Sequence, residues 1–133
     1  MGQPAATLNA TVVGVDTHIV IVPTPGGPVP TPLPHPFSGT ILGAVAPTVK
    51  VGGQPVAVLD SVAVNNPPHL PTPPGVSFQR PPANQGVVAM ASSTVKVGGK
   101  GIARVGDAVR TCNDPADAPV GTIVGPVGTV MVG

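Results

Sequence analysis

Three imidazoles and one thiol are the side chains of this sequence best suited to chemistry. They belong to His18, His35, His69 and Cys112, the only histidines and the only cysteine of the chain. Three histidine nitrogens and one thiolate form a complete tetrahedral ligand set for zinc. No closely spaced pair of these residues is present, so the fold must bring them together. The set predicts one structural zinc ion per chain.

The placement of these residues relative to aspartates supports a shared site. Three of them follow an aspartate that ends an apolar stretch: His18 after Asp16, His69 after Asp60 and Cys112 after Asp107. His35, just before Gly39, would be the fourth ligand. The alternative is that the histidines are ordinary loop residues and Cys112 is a small buried hydrophobe. Iron or another divalent ion is a second alternative, although histidine and cysteine favour zinc.

Catalysis and nucleic-acid binding are disfavoured by composition. A catalytic zinc keeps an open position and needs a nearby base, whereas four ligands are available and the chain has no glutamate. We therefore expect no enzyme activity. A net charge of +1 and an aromatic content of two Phe, with no Tyr or Trp, offer nothing to phosphates or bases. The start, MGQPAATLNA, lacks the regions of a signal peptide, so we expect synthesis in the cytoplasm without a cleavable export signal.

The same composition indicates an all-β protein. Twenty prolines and 18 glycines are scattered along the 133 residues, which disfavours helices. Charged residues are only 8% of the chain, unlike a typical disordered protein. With one cysteine, no internal disulfide is possible. A compact β domain spanning residues 1–133 remains.

Internal repeats organise this domain. The sequence TVKVGG occurs at residues 48–53 and again at 94–99, and TVMVG ends the chain at 129–133. Each TVKV predicts a strand, and each Gly-Gly a two-residue hairpin turn. The third copy has no return strand, so we expect the N-terminal stretch Thr11–Asp16 to supply it and close three units into a ring. The proline-rich stretches 23–36 and 67–82 are expected to be ordered surface loops of extended, polyproline-type backbone.

One stretch of the sequence resembles a known family. Residues 93–112, STVKVGGKGIARVGDAVRTC, resemble the repeat of PAAR proteins, with Gly101-Ile102-Ala103-Arg104 where Pro-Ala-Ala-Arg is usual. Pro55-Val56-Ala57-Val58 is a looser copy. The resemblance implies three pseudo-symmetric β-hairpin repeats in a three-sided cone, with zinc near its apex. It also implies that His18, His35, His69 and Cys112 hold the zinc.

The resemblance further implies a mechanical function. PAAR proteins cap the trimeric, VgrG-like β-helical spike of contractile injection machines such as type VI secretion systems, phage tails and extracellular particles. The expectation is a monomer that binds one chain per spike trimer, helps to pierce a target membrane and is expelled from the bacterial cell with the apparatus. Effector proteins are possible further partners, but no fused effector domain is expected in residues 1–133.

Two other functions fit parts of the sequence. One is a secreted zinc enzyme or inhibitor, which the four-ligand set disfavours. The other is a self-assembling β-repeat filament or adhesin, in which strand edges would join identical subunits. The oligomeric state of the purified chain discriminates between a tip protein and a filament, because a tip protein is monomeric alone and a filament protein forms polymers.

Overall fold

The regular secondary structure of the chain consists of β-strands alone in the computed structural model, which describes residues 2–133. No helix occurs among these residues, which confirms the all-β prediction, and thus none is long and apolar enough to cross a membrane. Thirteen strands follow one another along residues 2–133. They are β1 Gln3–Pro4, β2 Thr11–Thr24, β3 Gly27–Gly43, β4 Ala46–Val51, β5 Gln54–Val56, β6 Val62–Asn65, β7 Ser77–Phe78, β8 Gln85–Val88, β9 Lys96–Val97, β10 Lys100–Gly101, β11 Ala108–Thr111, β12 Ala118–Gly125 and β13 Met131–Val132.

Six of the strands form one antiparallel sheet that closes on itself. Their order is β12-β11-β8-β6-β3-β2, and β12 also pairs with β2. The short strand β7 adds to the far part of β2. Alternate side chains of the closed sheet point inward. They form a core that includes the fully buried Val12, Phe37, Ile41 and Ile123.

Three two-stranded units lie apart from this sheet: the hairpins β4–β5 and β9–β10, and a hairpin-like pair of the terminal strands β1 and β13. These units are called the three hairpins below. The first two turn through Gly52-Gly53 and Gly98-Gly99, whose φ angles of 59–83° are left-handed, as a tight hairpin requires. This confirms the predicted turns. A second small core packs between the three hairpins. It contains Ala5, Val56, Val58, Ile102 and Val132.

A closed cycle of backbone hydrogen bonds links the three hairpins. The N–H of Ala57 donates to the carbonyl of Ala6, that of Ala103 to Ala57, and that of Ala6 to Ala103, at 2.8–2.9 Å. All three alanines are at most 1% exposed. Small side chains are needed here because three backbones meet at hydrogen-bond distance.

The N-terminus completes the last hairpin, but with different residues from those expected. Gln3–Pro4 pairs with Met131–Val132, whereas Thr11–Val13 pairs with β12 in the closed sheet. The prediction that Thr11–Asp16 is the return strand was therefore wrong. The segment GQPAATLN at the start resembles GQPVAVLD at residues 53–60, which follows the Gly-Gly turn of the β4–β5 hairpin.

The first proline-rich stretch is also different from the prediction. Residues 27–36 belong to β3 and pair with β2, so they form a strand and not a polyproline-type loop. Strands tolerate proline where the backbone nitrogen faces away from the ladder. The second stretch, residues 67–82, is mostly irregular and contains only the short strand β7.

Candidate metal centre

The residues that could hold a metal lie where the long strands β2 and β3 meet the loop after β6 and the end of β11. Asp16 and His18 are two residues apart on β2, so their side chains share one face. His35 lies opposite Asp16 on β3. Cys112 follows β11 directly, and His69 lies in the loop after β6. All five residues are buried.

Four of these side chains bring a ligand atom into one cluster. One such atom from each of Asp16, His18, His69 and Cys112 lies within 4.8 Å of the other three. Cys112 Sγ is 3.6 Å from His18 Nε2 and 3.5 Å from Asp16 Oδ2. Asp16 Oδ2 is also 2.8 Å from His69 Nε2 and 3.9 Å from His18 Nε2. In a tetrahedral zinc site with bonds of about 2.0–2.3 Å, ligand atoms are about 3.3–3.7 Å apart. The cluster could therefore hold a metal ion once the 2.8 Å contact between Asp16 and His69 opens and the more distant ligand atoms move closer.

His35 lies against this cluster but directs its nitrogens elsewhere. Its ring centroid is 5.4 Å from that of His18 and 5.6 Å from that of His69. Its Nδ1 donates to the carbonyl of Leu33 at 2.9 Å, and its Nε2 accepts the backbone N–H of Thr72 at 3.1 Å. To bind the metal, His35 would have to release Thr72.

Asp16 is the member of the cluster that the sequence did not suggest as a ligand. It is fully buried, and its Oδ1 accepts hydrogen bonds from Thr111 Oγ1 and, at 3.5 Å, from Asn113 Nδ2. This leaves Oδ2 directed toward His69 and Cys112. The signal was present in the sequence: Asp and His at positions i and i+2 of an alternating strand must share a face.

The pKa shifts of the histidines favour cation binding, whereas that of Cys112 opposes it in the absence of a metal. Burial, followed by the nearby His69, lowers the pKa of His18, and burial lowers that of His35. These imidazoles are therefore held neutral, as metal ligands must be. Burial and the charge of Asp16 raise the pKa of Cys112 to about 11. A bound dication would reverse this effect, because it deprotonates a coordinating thiol.

A second carboxylate, that of Asp114, lies behind His18 on one side of the cluster. Asp114 Oδ2 lies 3.5 Å from the Nδ1 of His18, a buried nitrogen with no hydrogen bond among residues 2–133. Although burial alone would raise it, the pKa of Asp114 is lowered by the N–H of Ile19 and by Arg80. A carboxylate behind a histidine is the arrangement that orients metal-binding imidazoles in many sites.

Two surface cavities give access to the cluster. One, of about 220 Å³, is lined by His18, Cys112 and Arg80 among others. The other, of about 330 Å³, is lined by His35, His69 and Thr72. An entry path is one requirement for a metal site, and both cavities supply one.

Comparison with protein-family models, with curated proteins and with solved structures found no match for this chain. A functional conclusion therefore rests on the residues and their geometry.

Proposed function

We propose that this chain is a structural tip protein of the PAAR kind, which caps and sharpens the trimeric, VgrG-like spike of a contractile injection machine. The observation that carries the proposal is the set of three two-stranded hairpins, each with one strand that has a partner on one side only. Each outer strand includes at least the last two residues of a repeated segment, which is TVKV for β4 and β9 and TVMV for β13. A spike trimer has three equivalent strand edges to which they could add.

The backbone hydrogen bonds support three equivalent units. Besides the alanine cycle, the N–H groups of Leu8, Leu59 and Val105 each donate to a neighbouring unit, at Pro55, Gly101 and Pro4 respectively. Isolated bridges join Ala5 to Arg104, Thr7 to Val56 and Val58 to Ile102. We interpret these contacts as three pseudo-symmetric repeats of a cone. A single chain of this kind matches the symmetry of a trimer with one copy.

The metal in this proposal is a structural zinc ion. His18, His69, Cys112 and Asp16 would hold it, with His35 as the alternative fourth ligand. Zinc bound by four protein ligands stabilises a fold and leaves no position for a substrate. The proposed function is therefore mechanical, and the metal would stiffen the part of the chain where β2, β3 and β11 converge. Membrane piercing and delivery of associated effectors would follow when the sheath contracts.

The residues that would pair with a spike follow from the hairpin register. Lys50 lies opposite Pro55, Lys96 opposite Gly101 and Met131 opposite Pro4. Each of these pairs is next to a hydrogen-bonded pair, which closes the Gly-Gly turn in two hairpins and in the third is Val130 with Ala5, whose N–H donates to the Val130 carbonyl. Because hydrogen-bonded and non-hydrogen-bonded pairs alternate, the N–H of Lys50, Lys96 and Met131 points away from the inner strand. Each N–H is a donor that an added strand would use.

The test mixes the purified chain with a trimeric spike protein of this type and measures the mass of the complex by light scattering. We expect one chain per trimer. The triple variant Lys50→Pro, Lys96→Pro and Met131→Pro should lose binding, because proline removes the outward N–H. The matched triple threonine variant keeps those donors and should bind. Failure of the native chain to bind any such trimer, or equal binding by both variants, would refute the proposed docking.

The filament alternative is tested by the same instrument, since it uses the same free strands. In that case the chain alone would form polymers that grow with concentration, and the proline variant would abolish them. We expect a monomer.

A further inference from the structure

The longest hairpin of the fold projects beyond the closed sheet, and one of its two edges has no partner strand among residues 2–133. This arm consists of β2 and β3, which pair residue by residue from Thr11 opposite Thr40 to Thr24 opposite Gly27. The next strand along β3, β6, pairs only with residues from Gly39 onward. Within the described part of the chain, no strand pairs with the outer side of β3 between Gly27 and Ser38.

Prolines occupy every second position of this free edge: Pro28, Pro30, Pro32, Pro34 and Pro36. A two-residue turn makes its closing residues, here Thr24 and Gly27, a hydrogen-bonded pair. The odd-numbered residues of β3 therefore direct their N–H and C=O groups toward β2, and the even-numbered ones direct them outward. Thr72 Oγ1, which donates to the carbonyl of Pro34 at 2.7 Å from outside the arm, agrees with this assignment.

The outward edge consequently carries acceptors but no donors over about 30 Å of strand. The first even-numbered residue after the prolines is Ser38, and its N–H is already bonded to Asn65 Oδ1 at 2.9 Å. An added strand would find no N–H along this edge, so half of its ladder could not form. All five prolines are at the positions where they remove an outward donor and spare the inner ladder.

The opposite edge of the arm is closed by other means. On β2, the N–H of Thr17 is bonded to Asn113 Oδ1 at 2.6 Å, and that of Ile19 to Asp114 Oδ2 at 2.9 Å. Ile21 lies opposite Ser77 of β7. Side chains and one short strand thus occupy the edge that lacks the row of prolines.

We infer that the alternating prolines close the arm against strand addition, so that it remains a single hairpin and does not pair with a second copy or with a strand of a partner. Long edge strands that carry apolar residues are sites of association, and Val29 on this strand is 45% exposed. The outer strands of the short hairpins keep their outward donors, as at Lys50 and Lys96. Partner strands are therefore directed to the short hairpins and excluded from the arm. This inference does not depend on the identity of the partner.

The test restores the donors in the full chain. The variant Pro28→Thr, Pro30→Val, Pro32→Thr adds three outward N–H groups to the edge. Its matched control, Val29→Thr with Thr31→Val, changes neighbouring residues whose N–H groups face β2. Sedimentation equilibrium over one concentration series gives the weight-average mass of each protein, and far-UV circular dichroism verifies folding.

We expect the donor-restored variant to reach at least twice the mass of one chain, while the native chain and the control stay at one. A folded donor-restored variant that remains monomeric would overturn the inference, and so would association of the control. If the triple variant does not fold, the single change Pro30→Val decides by the same measurement, with a smaller rise in mass expected.

Discussion

Replacing Asp16 by asparagine separates the two candidates for the fourth metal ligand. The amide has nearly the same shape as the carboxylate, and its oxygen can still accept from Thr111 and Asn113 at the position of Oδ1. The other carboxylate oxygen, which lies 2.8 Å from His69 Nε2 and 3.5 Å from Cys112 Sγ, becomes an amide nitrogen that cannot coordinate a cation. The change therefore removes one ligand and one charge with little disturbance of packing.

The expected magnitude follows from that geometry. Loss of a residue that only orients a ligand typically lowers metal affinity 10–100-fold. Asp16 Oδ2 lies among the other three ligand atoms, so we expect a loss of at least about 100-fold, or about 2.7 kcal/mol. The metal-free protein keeps the two hydrogen bonds to the Oδ1 position but loses the acceptor for the Cys112 thiol, so its stability should fall by about 1 kcal/mol.

The matched variant is His35→Gln. Because His35 Nε2 accepts from the backbone of Thr72 and lies outside the four-atom cluster, we expect this change to lower zinc affinity by about tenfold or less. Zinc affinity is measured for both variants and the native chain by competition with a chromophoric chelator. Cobalt substitution provides a second readout, since its visible spectrum reports whether oxygen or nitrogen completes the ligand set.

A reversal of the two effects would refute this reasoning. If Asp16→Asn binds zinc like the native chain while His35→Gln loses about 100-fold, then three histidines and Cys112 form the site and His35 turns away from Thr72 on binding. Unchanged binding in both variants, or no zinc in the native chain, would mean that the cluster is not a metal site.

The remaining predictions concern stability and pH. Gly101→Ala would drive a Cβ into the carbonyl oxygen of Ser92, whereas a Cβ at Gly128 would meet nothing within 4 Å. Thermal unfolding should show a large drop in Tm for Gly101→Ala and almost none for the control Gly128→Ala. Phe37 is 1% exposed in the core, so Phe37→Ala should cost about 3–5 kcal/mol by denaturant titration, and a loss below about 1 kcal/mol would contradict the packing. For metal-free protein, burial raises the pKa of Cys112 from its ordinary value of 9.0 to about 11, so the stability contributed by the neutral thiol is complete below pH 9 and is lost as pH rises from there toward 11. The loss should reach about 2–3 kcal/mol in the native chain and be absent from Cys112→Ser, as followed by urea unfolding at each pH.

The sequence predicted the β class and the Gly-Gly turns because both depend on local backbone chemistry. It did not predict the correct return strand of the third hairpin, because the copies were aligned on TVKV alone. The better marker was the segment that forms the inner strand. Gln3–Pro4 and Gln54–Pro55 have the same two residues, and each pair lies opposite the end of an outer strand. Pairing between the two ends of a chain leaves no local signal other than such a repeat.

The metal cluster was only partly predictable for a similar reason. Histidine and cysteine were identified as ligands by residue type, and the structure brings His18, His69 and Cys112 together. Asp16 was interpreted as the end of a strand, whereas β2 continues through it to Thr24. Once the strand is extended, the i, i+2 relation between Asp16 and His18 follows directly. The direction of the His35 nitrogens depends on Thr72, which is distant in sequence, and no local pattern specifies it.

The proline content misled the interpretation of the arm because composition was considered before spacing. Proline is generally unfavourable in strands, but the penalty applies only where its nitrogen should donate within a ladder. Because the prolines of residues 28–36 recur every second residue, all of their backbone nitrogens lie on the side of β3 without a partner strand. The residues that lower the strand propensity of this segment therefore also specify which edge of the strand stays free. A period of two among prolines is thus itself evidence for an edge strand. It also indicates which side of that strand no partner will join.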